Sequence, residues 1–162
     1  MTSQSLTSSA APARRFNLWH LSLLLVLIGT VISAYLTYTE LTQTEVVCTD
    51  TGAFDCDTVQ SSAYSKLAGI PIVYLGLATY LLIGALLLLQ KRVVFFQEFG
   101  GMLIFGLVLF AWLYSMYLVY LQLFVLKAIC QWCFTHEINM TILFVVTCFR
   151  LKNELTIEAD SD

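Results

Sequence analysis

Long apolar stretches without charge alternate with short charged connectors along this chain. Four such stretches lie at 16–39, 67–90, 99–126 and, less cleanly, roughly 131–149. At about 1.5 Å of rise per residue, a helix of about 20 residues crosses a hydrocarbon core of about 30 Å. The fourth stretch is interrupted by His136, Glu137 and Asn139. The pattern therefore predicts four membrane-spanning helices, the last with weaker support from hydropathy.

The overall composition also indicates an integral membrane protein in the lipid bilayer. Of the 162 residues, 59% are apolar and only 12% are charged, whereas a soluble domain carries about 25% charged residues. We expect an all-α integral membrane fold, a four-transmembrane-helix bundle with spans at about 17–39, 69–90, 99–125 and 131–149. These spans form one membrane domain over 16–150, between a disordered tail over 1–15 and an acidic tail over 151–162. Nothing in the sequence suggests binding to nucleic acid.

The distribution of basic residues predicts which ends of the helices face the cytoplasm, because Lys and Arg are enriched in cytoplasmic connectors. With four spans, six of the eight basic residues fall on one side: Arg14, Arg15, Lys91, Arg92, Arg150 and Lys152. Only Lys66 and Lys127 fall on the other side, whereas three spans would divide the basic residues four to four. We therefore expect both termini and both tails in the cytoplasm, with the connectors 40–66 and 125–130 in the outer compartment.

Four of the five cysteines fall on the outer side, where disulfides persist. Cys48 and Cys56, the loop pair, lie in the first outer connector, and Cys130 and Cys133, the helix pair, lie at the start of the fourth span. Two cysteines separated by two residues at a helix start are typical of redox pairs, because the N-terminal end of a helix lowers the pKa of a thiol. Thiol–disulfide exchange passes electrons between such pairs through mixed disulfides. Cys148 lies alone near the cytoplasmic end, and we interpret it as a small buried apolar residue.

The first outer connector contains a short amphipathic helical pattern. Cys56, Val59, Ala63 and Leu67 recur at the spacing of one helix face. Asp55 is a good N-cap for this helix and places Cys56 in its first turn. We expect the helix to lie on the mouth of the bundle and to bring Cys56 toward the fourth span. Gly69-Ile70-Pro71 then starts the second span, whose first turn tolerates the proline.

Glu137 shares a helix face with the helix pair, because Cys130, Cys133 and Glu137 lie at positions i, i+3 and i+7. An ionisable residue inside a span is costly and is a functional candidate. Two interpretations remain open. Glu137 manages protons for a two-electron, two-proton acceptor in the lipid, or it pairs with a donor on another helix or stays near the headgroups. His136 is expected to point elsewhere on the helix, as an interfacial polar residue.

The cysteine spacing and the residues around it resemble the vitamin K epoxide reductase family, in particular its bacterial members. The matching elements are Cys48, the run Cys-Asp-Thr-Val-Gln-Ser-Ser-Ala-Tyr from Cys56 to Tyr64, Gly69-Ile70-Pro71, Gly76, Tyr80 and Cys130-x-x-Cys133. The likeness extends from the first span to about residue 150.

The resemblance implies that Cys48 and Cys56 shuttle electrons and that Cys130 and Cys133 lie beside a quinone, with Cys133 nearest and Ser62 lining the pocket. It implies a thiol–disulfide oxidoreductase of the bacterial inner membrane that reduces a ubiquinone- or menaquinone-type quinone on the periplasmic side. Such an enzyme supports disulfide formation and uses no metal. Many bacterial relatives carry a fused thioredoxin-like domain after a fifth span. This chain stops shortly after span four, so the expected partner is a separate periplasmic thioredoxin-like, DsbA-like protein.

Other functions fit parts of the same pattern. Reduction of a quinone (vitamin K) epoxide would use the same relay with another acceptor. However, the vertebrate members carry a tyrosine four residues after the second cysteine of the helix pair, where this chain has Glu137. A non-enzymatic tetraspan scaffold would use its cysteines only as structural disulfides. A zinc site made of the four outer cysteines is disfavoured by an oxidising compartment.

Overall fold

Four long helices dominate the computed structural model of the chain, which describes residues 11–48 and 55–159. They are α1 (Ala11–Thr42), α3 (Ile72–Leu89), α4 (Val94–Tyr120) and α5 (Gln131–Ala159). A short helix α2 (Cys56–Ser61), a 3₁₀ turn (Ala63–Ser65) and two strands, β1 (Lys66–Leu67) and β2 (Ile70–Pro71), connect α1 to α3. A π-helical turn (Leu121–Leu126) extends α4 toward α5.

The membrane fold predicted from the apolar pattern is confirmed. Four helical segments are long and apolar enough to cross a bilayer: Leu18–Thr42, Ile72–Leu89, Phe99–Leu126 and Gln131–Thr156. α1 packs against α3 and α5, and α4 packs against α5 and α3, so the four helices close into a bundle. Helices satisfy all backbone polar groups internally, which is the requirement for crossing lipid.

Tyr80 of α3 contacts both α1 and α5 at the centre of the bundle. Its side chain is fully buried, and its ring lies so close to Gly29 that a methyl group there would fall 2.2 Å from it. Asn139 Nδ2 donates hydrogen bonds to Tyr80 Oη at 3.0 Å and to the carbonyl oxygen of Leu25 at 3.1 Å. Glycine at position 29 therefore lets α3 approach α1, and a buried amide on α5 holds both.

Two helices extend further than the tails predicted from the sequence. α1 begins at Ala11, within the tail expected to be disordered over 1–15, and Pro12 lies in its first turn, where no N–H is needed. α5 continues to Ala159, through most of the acidic tail expected over 151–162. At this end Arg150 Nη2 donates to Gln90 Oε1 at 2.8 Å and lies 4.0 Å from Glu154 Oε1. Residues 1–10, 49–54 and 160–162 lie outside the described part of the chain.

The amphipathic helix of the first connector forms but is shorter than its pattern predicts. Cys56 and Val59 are buried as expected, whereas Ala63 and Leu67 are exposed. The helix stops at Ser61 because Ser62 is extended, with φ −66° and ψ 156°, and its hydroxyl donates to the carbonyl oxygen of Val59 at 2.8 Å. The prediction that Ala63 and Leu67 continue the buried face was therefore wrong.

A two-residue hairpin replaces the rest of the predicted helix. β1 and β2 pair antiparallel, with Leu67 opposite Ile70. Ala68 and Gly69 form the turn between them, with φ of 52° and 85°, the left-handed values that a type I′ turn requires. Pro71 precedes α3 as its N-cap residue instead of lying inside the first turn. The hairpin leads the chain from the end of α2 to the start of α3.

Candidate active site

The loop pair forms a disulfide at the end of the bundle where α5 begins. The Cα atoms of Cys48 and Cys56 are 6.4 Å apart, within the range that a disulfide spans. Cys56 is the first residue of α2 and is buried, while Cys48 is half-buried. Asp55 caps α2 and accepts hydrogen bonds from Thr58 N at 2.9 Å and Thr58 Oγ1 at 2.6 Å. These bonds lower the pKa of Asp55, so its carboxylate fixes the start of the helix that carries Cys56.

The helix pair lies at the N-terminus of α5 as two thiols. Cys130 has no exposed surface and Cys133 is half-buried in the first turn. The backbone N–H of Cys133 donates to Cys130 Sγ at 3.3 Å, and the N–H of Cys130 donates to Gln122 Oε1 at 3.1 Å. The pKa of Cys130 is lowered to about 7, first by a hydrogen bond from the Cys133 thiol. Backbone N–H groups and Gln60 add to this effect, and burial opposes it.

The π-helical turn at the end of α4 builds the loop that presents Cys130. The carbonyl oxygen of Gln122 accepts a hydrogen bond from Ala128 N at 3.2 Å, while its side chain holds Cys130. Lys127 ends the turn with a left-handed φ of 53°. Single π-helical turns are often found at functional sites, and this one orients the residue before α5.

The two pairs of cysteines meet in one buried apolar cluster. Cys56 and Cys130 belong to its core, and Cys48 and Cys133 pack against it. The backbone N–H of Asp55 donates to the carbonyl oxygen of Ile129 at 3.0 Å, so the residues preceding Cys56 and Cys130 are hydrogen-bonded to each other. This contact brings the start of α2 against the start of α5, as the sequence predicted.

Trp132 holds the segment before Cys48 in place. Its Nε1–H donates to the carbonyl oxygen of Val47 at 2.8 Å, and its ring packs on Tyr35 with 4.7 Å between centroids. Tyr35 Oη in turn accepts from the N–H of Val47 at 3.3 Å. Both backbone polar groups of Val47 are therefore bound by aromatic side chains, next to one sulfur of the disulfide.

A cavity of about 510 Å³ lies between α3 and α4, and residues of α5 form its base. Its volume falls in the range of small-molecule sites, about 300–1,000 Å³. Most of its wall is apolar; the polar side chains on it are Ser33, Gln60, Ser62, Tyr64, Ser65, Thr79, Tyr114, Ser115, Gln122, Cys133, His136 and Glu137. Leu82 and Phe110 also line it, in the middle of their helices, and are 51% and 71% exposed. The cavity therefore opens sideways, at a depth where lipid surrounds the bundle.

The helix pair divides between the cluster and the cavity. Cys133 lines the cavity, whereas Cys130 does not line it and belongs to the buried cluster that contains Cys56. Cys133, His136 and Glu137 lie at i, i+3 and i+4 of α5, which is the spacing of one helix face. One turn of α5 thus presents a thiol, an imidazole and a carboxyl group to the same space.

The vitamin K epoxide reductase family model matches residues 20–148. The chain belongs to this family. Its members are membrane oxidoreductases that use quinones and thiol-redox partners, so the chain is a multi-pass membrane redox enzyme. The resemblance inferred from the cysteine spacing is confirmed. The match ends at Cys148, and all four cysteines of the two pairs lie inside it.

The two other residues predicted for the site both line the cavity: Ser62, which the family resemblance implied, and Glu137, which its helix face indicated. Glu137 is only 5% exposed, and its carboxylate accepts hydrogen bonds from Ser115 Oγ and, at 3.3 Å, from Thr141 Oγ1. The interhelical hydrogen-bond donor that was considered for Glu137 is therefore present on α4. Glu137 also lies on the wall of the cavity. The Ser62 hydroxyl donates its proton to the backbone of α2, so toward the cavity it offers lone pairs.

Sequence analysis missed several polar residues of this family member's cavity. His136 was expected to point away from the site, but it lines the cavity and its ring packs edge-on to Tyr80, 5.3 Å between centroids. Its spacing of three from Cys133 was the available signal. Ser33 and Ser115 were also missed, although a buried serine in an otherwise apolar span is a comparable signal.

The fifth cysteine, Cys148, lies apart from the loop pair and the helix pair. Cys148 is on α5, four helical turns beyond Cys133, and is half-buried without a disulfide. Among the residues that the structure describes, no group of three or more His, Cys, Asp or Glu side chains is placed to hold a metal ion.

Proposed function

We propose that this family member is a thiol–disulfide oxidoreductase that passes electrons from a separate periplasmic thioredoxin-fold, DsbA-like protein to a membrane quinone, and so supports disulfide formation. Residues 16–150 form the catalytic membrane domain. The observation that carries the proposal is the division of the helix pair, with Cys130 in the buried cluster that contains Cys56 and Cys133 on the cavity wall. A dithiol with one sulfur toward a second disulfide and the other toward an apolar cavity suits electron transfer between the two.

The proposed cycle consists of four thiol–disulfide exchange steps and one two-electron reduction of the quinone. A thiolate of the reduced partner attacks the Cys48–Cys56 disulfide, and its second thiol releases the partner as a disulfide, leaving both loop cysteines reduced. Cys56 then attacks the oxidised helix pair at Cys130 and frees Cys133. Cys48 attacks Cys56, which restores the loop disulfide and reduces Cys130. The helix pair finally gives two electrons to the quinone, which takes two protons and leaves as hydroquinone, and the Cys130–Cys133 disulfide forms again.

The cavity fits a quinone better than it fits a water-soluble substrate. A quinone needs an apolar slot for its ring, a few hydrogen-bonding groups for its oxygens, and an exit toward lipid for its tail. The wall is largely apolar, with Ser62 and Glu137 among its polar groups, and Leu82 and Phe110 flank its lateral opening. Water is excluded from such a site, so the protons must come from side chains. The position of Glu137 on the cavity wall, with Ser115 and Thr141 as hydrogen-bond partners, supports this role.

The orientation of the enzyme follows from its basic residues. The loop pair would face the periplasm, and both termini would lie in the cytoplasm of a bacterium, with the bundle in the inner membrane. The six basic residues that the positive-inside rule assigns to the cytoplasm lie at the opposite end of the helices from the loop pair and the helix pair. This orientation gives a periplasmic protein direct access to the half-buried Cys48.

Quinone reduction by purified protein tests the proposal. The protein in lipid nanodiscs is reduced through its partner or dithiothreitol, and ubiquinone- and menaquinone-type substrates are followed by absorbance. Cys133→Ala should abolish reduction, whereas the matched Cys148→Ala variant, on the same helix but distant from the cavity, should turn over like wild type. Equal behaviour of the two variants would refute the assigned roles. A wild-type protein that reduces the quinone epoxide and no quinone would replace the proposed acceptor with the epoxide.

A further inference from the structure

One buried polar group in the cavity has no role in the relay described above. Ser33 is 2% exposed, in the middle of α1, and its Oγ has no hydrogen-bond partner among the described residues. The other two buried serines, Ser22 and Ser115, donate to Leu18 O and Glu137 Oε2. Leaving a buried hydroxyl without a partner is costly. Because Ser33 lines the cavity, a molecule bound there can provide that partner.

Ser33 shares a small space with His136, and Gly76 forms the base of that space. A methyl group at Gly76 would lie 3.7 Å from Ser33 Oγ and 3.8 Å from His136 Nε2. The two polar atoms, from α1 and α5, therefore border the same point above the backbone of α3. Tyr80 fixes the imidazole by its edge-on contact, and Asn139 fixes the Tyr80 hydroxyl. Because Gly76 has no side chain, its backbone leaves this point between the two polar atoms open.

We propose that Ser33, His136 and the bare backbone of Gly76 form a subsite that binds one ring oxygen of the quinone substrate. This inference rests on the proposed quinone reduction and adds residues to it. His136 and Glu137 are adjacent on α5 and so point about 100° apart around the helix axis. His136 faces α1 and α3, while Glu137 is bonded to α4. A quinone ring lying beside Cys133 would then have one oxygen in the subsite between α1, α3 and α5. Its other oxygen would lie on the Glu137 side, between α5 and α4.

The subsite makes a prediction that separates substrate binding from a structural role. Ser33→Ala removes a hydroxyl that has no partner in the described part of the chain, so the variant should unfold at the same temperature as wild type or a higher one. The same substitution removes a hydrogen bond to the quinone, and the Kd of a short-chain 1,4-quinone should rise about 2- to 10-fold. A residue with a structural role would lower both stability and affinity.

Gly76→Ala tests the space itself. The new methyl group meets its neighbours at ordinary van der Waals distance, so the protein should fold, but the methyl group occupies the point assigned to the substrate oxygen. The Kd should rise at least as much as in Ser33→Ala. Gly106→Ala is the matched control, because a methyl group there, also on a spanning helix, meets nothing within 4 Å. Ser22→Ala is the control for Ser33, since the Ser22 hydroxyl donates to Leu18 of its own helix and does not line the cavity.

Equilibrium binding of the short-chain 1,4-quinone to the oxidised protein in nanodiscs, with thermal unfolding of each variant, decides the question. The proposal holds if Ser33→Ala and Gly76→Ala weaken binding while the two controls do not. Wild-type affinity in Ser33→Ala and Gly76→Ala, with quinone reduction intact, would overturn the subsite and leave the proposed function standing. A wild-type protein that neither binds nor reduces any quinone would overturn both. If Gly76→Ala does not fold, Ser33→Ala alone decides.

Discussion

We predict that the thiol of Cys133 makes Cys130 more reactive by lowering the pKa of Cys130, and alkylation rates measure this effect. An ordinary cysteine with a pKa of about 8.5 is about 3% thiolate at pH 7. With its pKa lowered to about 7, Cys130 is about half thiolate. The first cause is the hydrogen bond from the Cys133 side chain. Cys133→Ala removes that donor, whereas Cys133→Ser keeps a hydroxyl on the same carbon.

The magnitude follows from the thiolate fraction. If loss of the donor raises the pKa of Cys130 by 1 to 1.5 units, the thiolate fraction at pH 7 falls about 5- to 15-fold. Alkylation by iodoacetamide requires the thiolate, so its rate rises as pH passes through the pKa. Burial of Cys130 slows the reaction at every pH and does not move the midpoint. In Cys133→Ser the midpoint should stay near 7, and in Cys133→Ala it should move toward 8.5.

The assay uses both variants in a Cys148→Ala background with the loop disulfide intact. Cys130 is then the only free thiol, and mass spectrometry identifies the modified residue. Rates between about pH 5 and 10 give the two midpoints. A midpoint near 7 in both Cys133→Ser and Cys133→Ala would refute the hydrogen bond as the cause, and would assign the low pKa to the backbone N–H groups at the start of α5.

Three other variants test separate parts of the relay. Cys48→Ala should block reduction by the protein partner but leave reduction by dithiothreitol largely intact, because a small reductant reaches the helix pair directly. Glu137→Gln should slow quinone reduction at neutral pH by roughly 10²–10⁴-fold, the effect of a positioned acid–base group, and should flatten the pH–rate profile. Trp132→Phe loses the 2.8 Å bond to Val47, so exchange with the protein partner should slow about 2- to 10-fold, with quinone affinity unchanged.

Each variant has a contrary result that is easily distinguished. Equal loss of activity with both reductants in Cys48→Ala would mean that Cys48 has a second role. A wild-type pH–rate profile in Glu137→Gln would mean that the carboxyl group serves only as a hydrogen-bond partner of Ser115. Wild-type exchange rates in Trp132→Phe would show that the Tyr35 contact alone holds the loop before Cys48. Stopped-flow exchange with the partner and steady-state quinone reduction provide all three comparisons.

The sequence predicts the spans and the cysteine positions well because both depend on local patterns. Apolar length and helix-start chemistry locate the spans and the N-cap at Asp55 without knowledge of packing. The end of α2 was not predictable in the same way, because Ala63 and Leu67 continue its periodicity while an extended Ser62 and a hairpin divert the chain. The cavity was also hidden, since apolar side chains that face lipid and those that line a cavity are alike in a sequence.

The polar residues that weaken the hydropathy of the fourth span face the inside of the bundle in the structure. His136 and Glu137 face the cavity, and Asn139 bonds to Tyr80 and to the backbone of α1. None of the three side chains is left in lipid, so their cost in the bilayer is offset by partners inside the bundle. Because Cys133 begins the same face, spacings counted from this cysteine identify His136 at three and Glu137 at four. In this span, which starts with the helix pair, polar interruptions at these spacings therefore mark the wall of the cavity, and they are no argument against a membrane helix.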